Sequence, residues 1–129
     1  MNSTLIPGDV RRFILHCIPS VPFLEALLLL REDAAQQWTV QQLAQRLYLA
    51  DAAAKALLRA LEQAGMASAV TPGEGPWHYA PRTPDLAHIL DKLAQVYARQ
   101  LVDVSTLIHL KSNRKAQLFA DAFVWRKDR

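Results

Sequence analysis

The chain has 129 residues, 51% of them hydrophobic, with 4 glycines and 7 prolines; this is enough to close one core and too apolar for a disordered tail. A single cysteine, Cys17, rules out an intramolecular disulfide, and the apolar run Phe23 to Leu30 is far too short to cross a bilayer. The net charge of +3 is uneven: residues 1–64 hold six basic and six acidic side chains, whereas residues 111–129 hold six against two.

Met1 to Gly8 has neither the basic start nor the apolar run of a secretory leader, so a cytoplasmic protein with no membrane partner is expected. Asp9 can cap a helix from Val10 to Ile18 whose apolar stripe is Val10, Phe13, Ile14 and Cys17. On that stripe Cys17 is expected to be a buried structural thiol. Pro19 breaks the helix. Ser20 caps the next, with Pro22 in its first turn. Phe23, Leu24, Leu27, Leu28 and Leu30 leave that helix few polar positions, so it should be mostly buried. Arg31, Glu32 and Asp33 mark its exit into solvent, and Trp38 is a candidate for a short third strand.

Two short helices follow. Thr39 can cap the first, with Leu43, Ala44 and Leu47 on one face. Tyr48, Leu49 and Ala50 connect it to the second, which Asp51 can cap. Leu57, Leu58 and Leu61 would line its inner face, and Gly65 would end it. Met66 to Val70 reads as a strand, residues 71–76 as a turn, and Trp77 to Ala80 as a returning strand. Beyond Pro81 and Pro84, Leu86, Leu90, Leu93, Tyr97, Leu101, Val104 and Ile108 recur at helical spacing. They predict one long helix from Asp85 to Leu110, nearly 40 Å at about 1.5 Å per residue. A last helix is predicted over 114–125, with Leu118, Phe119, Ala122, Phe123 and Trp125 on its apolar side.

Helix, turn, helix and hairpin, carried by TVQQLAQRL, LLRALEQAGM and WHYAP, resemble the winged helix-turn-helix transcription regulators of bacteria, of the MarR-like and ArsR-like sort. The likeness covers about Ser20 to Arg82. It implies a mainly α fold: a three-helix core with a β-hairpin wing, plus an N-terminal helix and a long C-terminal helical arm. The expected divisions are 1–19, 20–82 and 83–129. The implied function is that of a dimeric regulator that binds double-stranded DNA. The alternative is a winged-helix adaptor that binds another protein and does not read DNA.

In the DNA reading, the outward face of the second helix of the pair carries Ala52, Ala53, Lys55, Ala56, Arg59 and Gln63. Lys55 and Arg59 can reach phosphate or guanine, while the alanines can touch only a thymine methyl. Thr39, Gln41 and Gln42 would hold phosphates at a helix start, with His78 and Arg82 as helpers beside the hairpin. The turn carries one charge, the acidic Glu74, and the basic surplus lies at the far end of the chain. The C-terminal basic and aromatic segment is expected to dock on its own core.

A homodimer is expected through Phe13, Tyr97, Leu101, Val104, Leu107 and Ile108, because a long arm outreaches a small core. Asp85, His88 and His109 lack the second ligand pair that a shared metal site needs, so no metal or cofactor is expected. No phosphate-binding glycine loop or nucleophile motif is present, so no enzymatic activity is expected.

Overall fold

The computed structural model describes residues 5–112. They run in the order α1 (Gly8–Cys17), α2 (Val21–Glu32), α3 (Val40–Leu47), α4 (Asp51–Gln63), β1 (Ala67–Thr71), β2 (Gly75–Tyr79) and α5 (Pro84–Arg99), then α6 over 101–112. The architecture is mainly helical with a small two-stranded antiparallel sheet, compatible with a winged helix.

Side-chain caps set several of these boundaries. Ser20 Oγ accepts the Phe23 N–H at 3.2 Å, and Thr83 Oγ1 accepts that of Leu86 at 3.1 Å. Thr39 and Gln42 cap α3 reciprocally. Two expected caps are corrected. Pro7 precedes α1, and Asp9 lies inside its first turn, where its carboxylate accepts the Val10 N–H at 2.8 Å and pairs with Lys92 of α5. Ala50 precedes α4, so Asp51 is the first helical residue and makes no capping hydrogen bond.

The end of α4 follows the sequence closely. Gly65 has φ 76°, its N–H donates to the Glu62 carbonyl at 3.0 Å, and the Met66 N–H donates to that of Leu61 at 3.0 Å. This paired closure needs a left-handed residue, which glycine supplies without steric cost. In the hairpin, Ala67 faces Tyr79, Ser68 faces His78 and Ala69 faces Trp77. Pro72 and Gly73 (φ 75°) form the bend, and the Glu74 N–H returns to the Thr71 carbonyl at 2.9 Å. Trp38 joins the sheet through one isolated bridge rather than a strand: its N–H donates to Trp77 O at 2.7 Å and its carbonyl accepts from Trp77 N at 2.9 Å.

One buried cluster contains Val10, Leu24, Leu43, Leu58, Trp77, Leu90 and Ile108, so all three sequence divisions contribute to it. The helix predicted over Asp85 to Leu110 is not continuous. Gln100 leaves helical geometry (φ −130°, ψ 47°), although its N–H still donates to the Val96 carbonyl at 2.7 Å. Beyond this elbow α6 packs against α1. Lys111 Nζ donates to the carbonyls of Ile14 at 3.1 Å and Ile18 at 2.9 Å, at the negative end of the α1 dipole.

This return corrects the expected pairing surface. Val104 and Ile108 are fully buried and Leu107 nearly so, all within one chain, and Tyr97 is buried with its hydroxyl 3.4 Å from Glu25 Oε2. Phe13 is partly buried against the same core. Of the six residues assigned to pairing, Leu101 alone is exposed; its neighbour Val102 and, at the far end of α6, Leu110 are exposed as well. Cys17 is also corrected: it is exposed at the end of α1. The helix predicted over 114–125 and the basic tail lie outside the described residues.

No single helix among the described residues is long and apolar enough to cross a membrane. Together α1 and α2 pass by length and composition, but they are bent by 112° and both place residues in the core.

Candidate nucleic-acid interface

The surface that the sequence singles out is the outer side of α4, bounded by the start of α3 and by the hairpin turn. The phase of α4 is as expected: Ala54, Leu58 and Leu61 are buried, with Leu57 partly so. Ala52, Ala53, Ala56, Arg59 and Gln63 are exposed, and Lys55 is half-buried. With methyl groups at three of those positions, another surface can approach the α4 backbone closely.

Two side chains of α4 fasten it to the hairpin. Glu62 accepts the Trp77 Nε1–H at 2.8 Å and the Gly73 N–H at 3.2 Å. Arg59 Nε donates to the Gly73 carbonyl at 2.9 Å, and its guanidinium lies 3.6 Å from the Glu74 carboxylate. Trp77 is fully buried, so Glu62 ties α4 to a fixed point rather than to a loose turn. Sequence reading missed Glu62, although its place one turn after Arg59 puts both side chains on one helix face. Gly75 seats the ring that Glu62 grips: at φ 82°, a Cβ there would sit 2.3 Å from the Trp77 ring.

The clasp changes the electrostatics of the face. The sequence leaves Arg59 free for a phosphate, yet in the fold it already neutralises Glu74. Arg82 is placed differently: its backbone N–H donates to the Gly65 carbonyl at 2.7 Å, and its exposed guanidinium lies beside Gly65 with no ion pair among the described residues. Arg46 lies over the Trp38 ring, 5.8 Å from the centroid. With Asp51 and Glu74 exposed on the same side, the described part of the face carries little net positive charge.

At the start of α3, Thr39 Oγ1 accepts the Gln42 N–H at 3.2 Å and Gln42 Oε1 accepts the Thr39 N–H at 2.9 Å. The acceptor atoms are thus committed, while the Thr39 O–H and the Gln42 amide N–H remain available as donors. Gln41 is exposed beside them. His78 lies on the strand face opposite Trp77, half-buried, with Nδ1 enclosed and without a hydrogen-bond partner among the described residues. The structure therefore brings Lys55, Arg59 and Gln63 onto one strip and the α3 start into one cluster. His78 lies on β2 and Arg82 beside the end of α4.

No group of three or more His, Cys, Asp or Glu side chains among the described residues has the arrangement of a metal site. No protein-family model, curated protein or solved structure matches this chain.

Proposed function

We propose that this chain is a winged helix-turn-helix transcription regulator that binds duplex DNA as a homodimer, in the bacterial cytoplasm where its target would lie. The observation that carries this reading is the open strip of α4. It is smooth enough for close approach at Ala52, Ala53 and Ala56, it bears Lys55, Arg59 and Gln63, and the Glu62 and Arg59 bonds hold it at a fixed angle to the hairpin. In this reading α4 enters the major groove, the donors of Thr39, Gln41 and Gln42 meet the flanking phosphates, and the hairpin is the wing. The exposed Leu101 and Val102 at the start of α6 are the surface proposed for pairing. Two-fold pairing would set two α4 helices on successive groove faces and so offset a face that reads bases weakly.

A second reading is favoured by the Arg59–Glu74 pair and by the alanines: a winged-helix adaptor whose α4 strip receives another protein.

A salt titration of DNA affinity separates the two. For a DNA binder, Lys55→Gln with Arg59→Gln flattens the salt slope by about 0.9 for each phosphate that the protein no longer neutralises. Glu74→Gln tightens binding, because it frees the Arg59 charge and removes a repelling one. An adaptor shows no duplex binding at low salt, and neither change creates it.

A further inference from the structure

Two helices of this chain close through a left-handed residue followed by an N–H that donates to the carbonyl five residues back, with different residues at the turning position. At the end of α4 that residue is Gly65, as described. At the end of α3 it is Tyr48, with φ 56° and ψ 49°, and the Leu49 N–H donates back to the Ala44 carbonyl at 2.9 Å. Glycine enters this left-handed region freely, whereas any Cβ crowds the following carbonyl. Tyr48 is the one non-glycine residue with positive φ among the described residues.

Its ring offsets none of that strain by packing. Tyr48 is 95% exposed, the most exposed of the large apolar residues, and although its backbone N–H donates to the Ala44 carbonyl, its hydroxyl makes no hydrogen bond among the described residues. The fold thus has no use for an aromatic side chain here and would be better served by glycine. A strained residue kept at a surface turn is accounted for by what it touches outside the chain.

Tyr48 stands three residues before Asp51, so the chain runs from it directly into the exposed first turn of α4. We infer, resting on the DNA-binding reading above, that Tyr48 is a backbone-contact residue. Its hydroxyl donates to a phosphate oxygen on the strand bordering α4, and its ring lies against the adjoining sugar. The surroundings favour a neutral donor. Arg59 is held by Gly73 and Glu74, Arg46 covers Trp38, and Asp51 repels phosphate in the same turn. A phenol hydrogen-bonds to phosphate without carrying charge.

The test combines thermal melts with fluorescence anisotropy on a duplex DNA of mixed sequence over a range of salt, for the parent, Tyr48→Phe, Tyr48→Gly and Lys55→Gln. Tyr48→Gly should melt about 3–5 °C above the parent, because it relieves the turn, yet bind DNA roughly tenfold more weakly, each within the range for one surface contact. Tyr48→Phe should weaken binding with the melt unchanged. Both lines of affinity against salt should run parallel to the parent's, since the protein's charge is unaltered, while the Lys55→Gln line flattens by about 0.9. If Tyr48→Gly binds as the parent does while Lys55→Gln behaves as stated, the Tyr48 assignment fails and the DNA-binding reading stands. A Tyr48→Gly melt below the parent's overturns the strain argument. A parent that binds no duplex at low salt removes both.

Discussion

Tyr79 shows how one buried atom leaves a signature in a bulk measurement. Its hydroxyl is enclosed without a hydrogen-bond partner among the described residues. Burial raises its pKa above the usual 10.0; the nearby Arg31 guanidinium opposes the rise, by its charge and as a hydrogen-bond donor to the phenolate, and Asp91 adds to it. A folded-state pKa above the unfolded one gives stability that is fully present below the unfolded value and is lost as pH climbs through the raised folded one. The parent should therefore lose stability above about pH 10, and Tyr79→Phe should lose less. At neutral pH the same variant should be unchanged or up to about 1 kcal/mol more stable, because it removes an unpaired polar atom while keeping the ring. Chemical denaturation at pH 7 and above pH 10 checks both; a strongly destabilised Tyr79→Phe at pH 7 would mean that the hydroxyl has a partner. Neither effect could be read from the sequence, where Tyr79 is simply a strand residue.

Among the elements, most boundaries set by local chemistry were legible and the one set by distant contacts was not; Asp9 and Asp51, which lie inside the helices they were expected to cap, are the local exceptions. Ser20, Thr39 and Gly65 act within a few residues of themselves: the first two begin a helix and the third follows a helix end where the sequence placed the boundary. The break at Gln100 has no such marker. No proline or glycine stands there, and the apolar spacing from Tyr97 through Leu101 to Val104 continues across it unbroken. Beyond it the Lys111 amino group meets the Ile14 and Ile18 carbonyls at the end of α1, a distant contact that periodicity cannot register. The candidate strip divides the same way: the outward phase of α4 follows from Leu58 and Leu61, while the capture of Arg59 by the turn depends on tertiary geometry. Gly65→Ala tests the local half. Its φ of 76° favours glycine, and a Cβ would lie 2.7 Å from Arg82 Nε. A loss of about 1–2 kcal/mol in a urea titration is expected, and an unchanged midpoint would show that the closure tolerates a side chain.

For the whole molecule, the elbow separates core residues from surface residues on one short helix. Val104→Asp places an unpaired carboxylate in the single-chain core and should abolish the cooperative melt, at a cost of several kcal/mol. Leu101→Glu changes a half-exposed position and should leave the melt intact while weakening self-association. Circular dichroism and light scattering on the two variants separate these roles; a Val104→Asp protein that stays folded but turns monomeric would return that residue to the pairing surface. The Lys111 contacts also bear on the order of folding. The amino group that completes the end of α1 belongs to a residue 97 positions beyond Ile14 and 93 beyond Ile18. During synthesis α1 precedes Lys111 by nearly the whole described chain, so its last turn waits for that contact. Contacts this far apart in sequence form late in folding, so the last turn of α1 should gain protection from hydrogen exchange after α3 and α4.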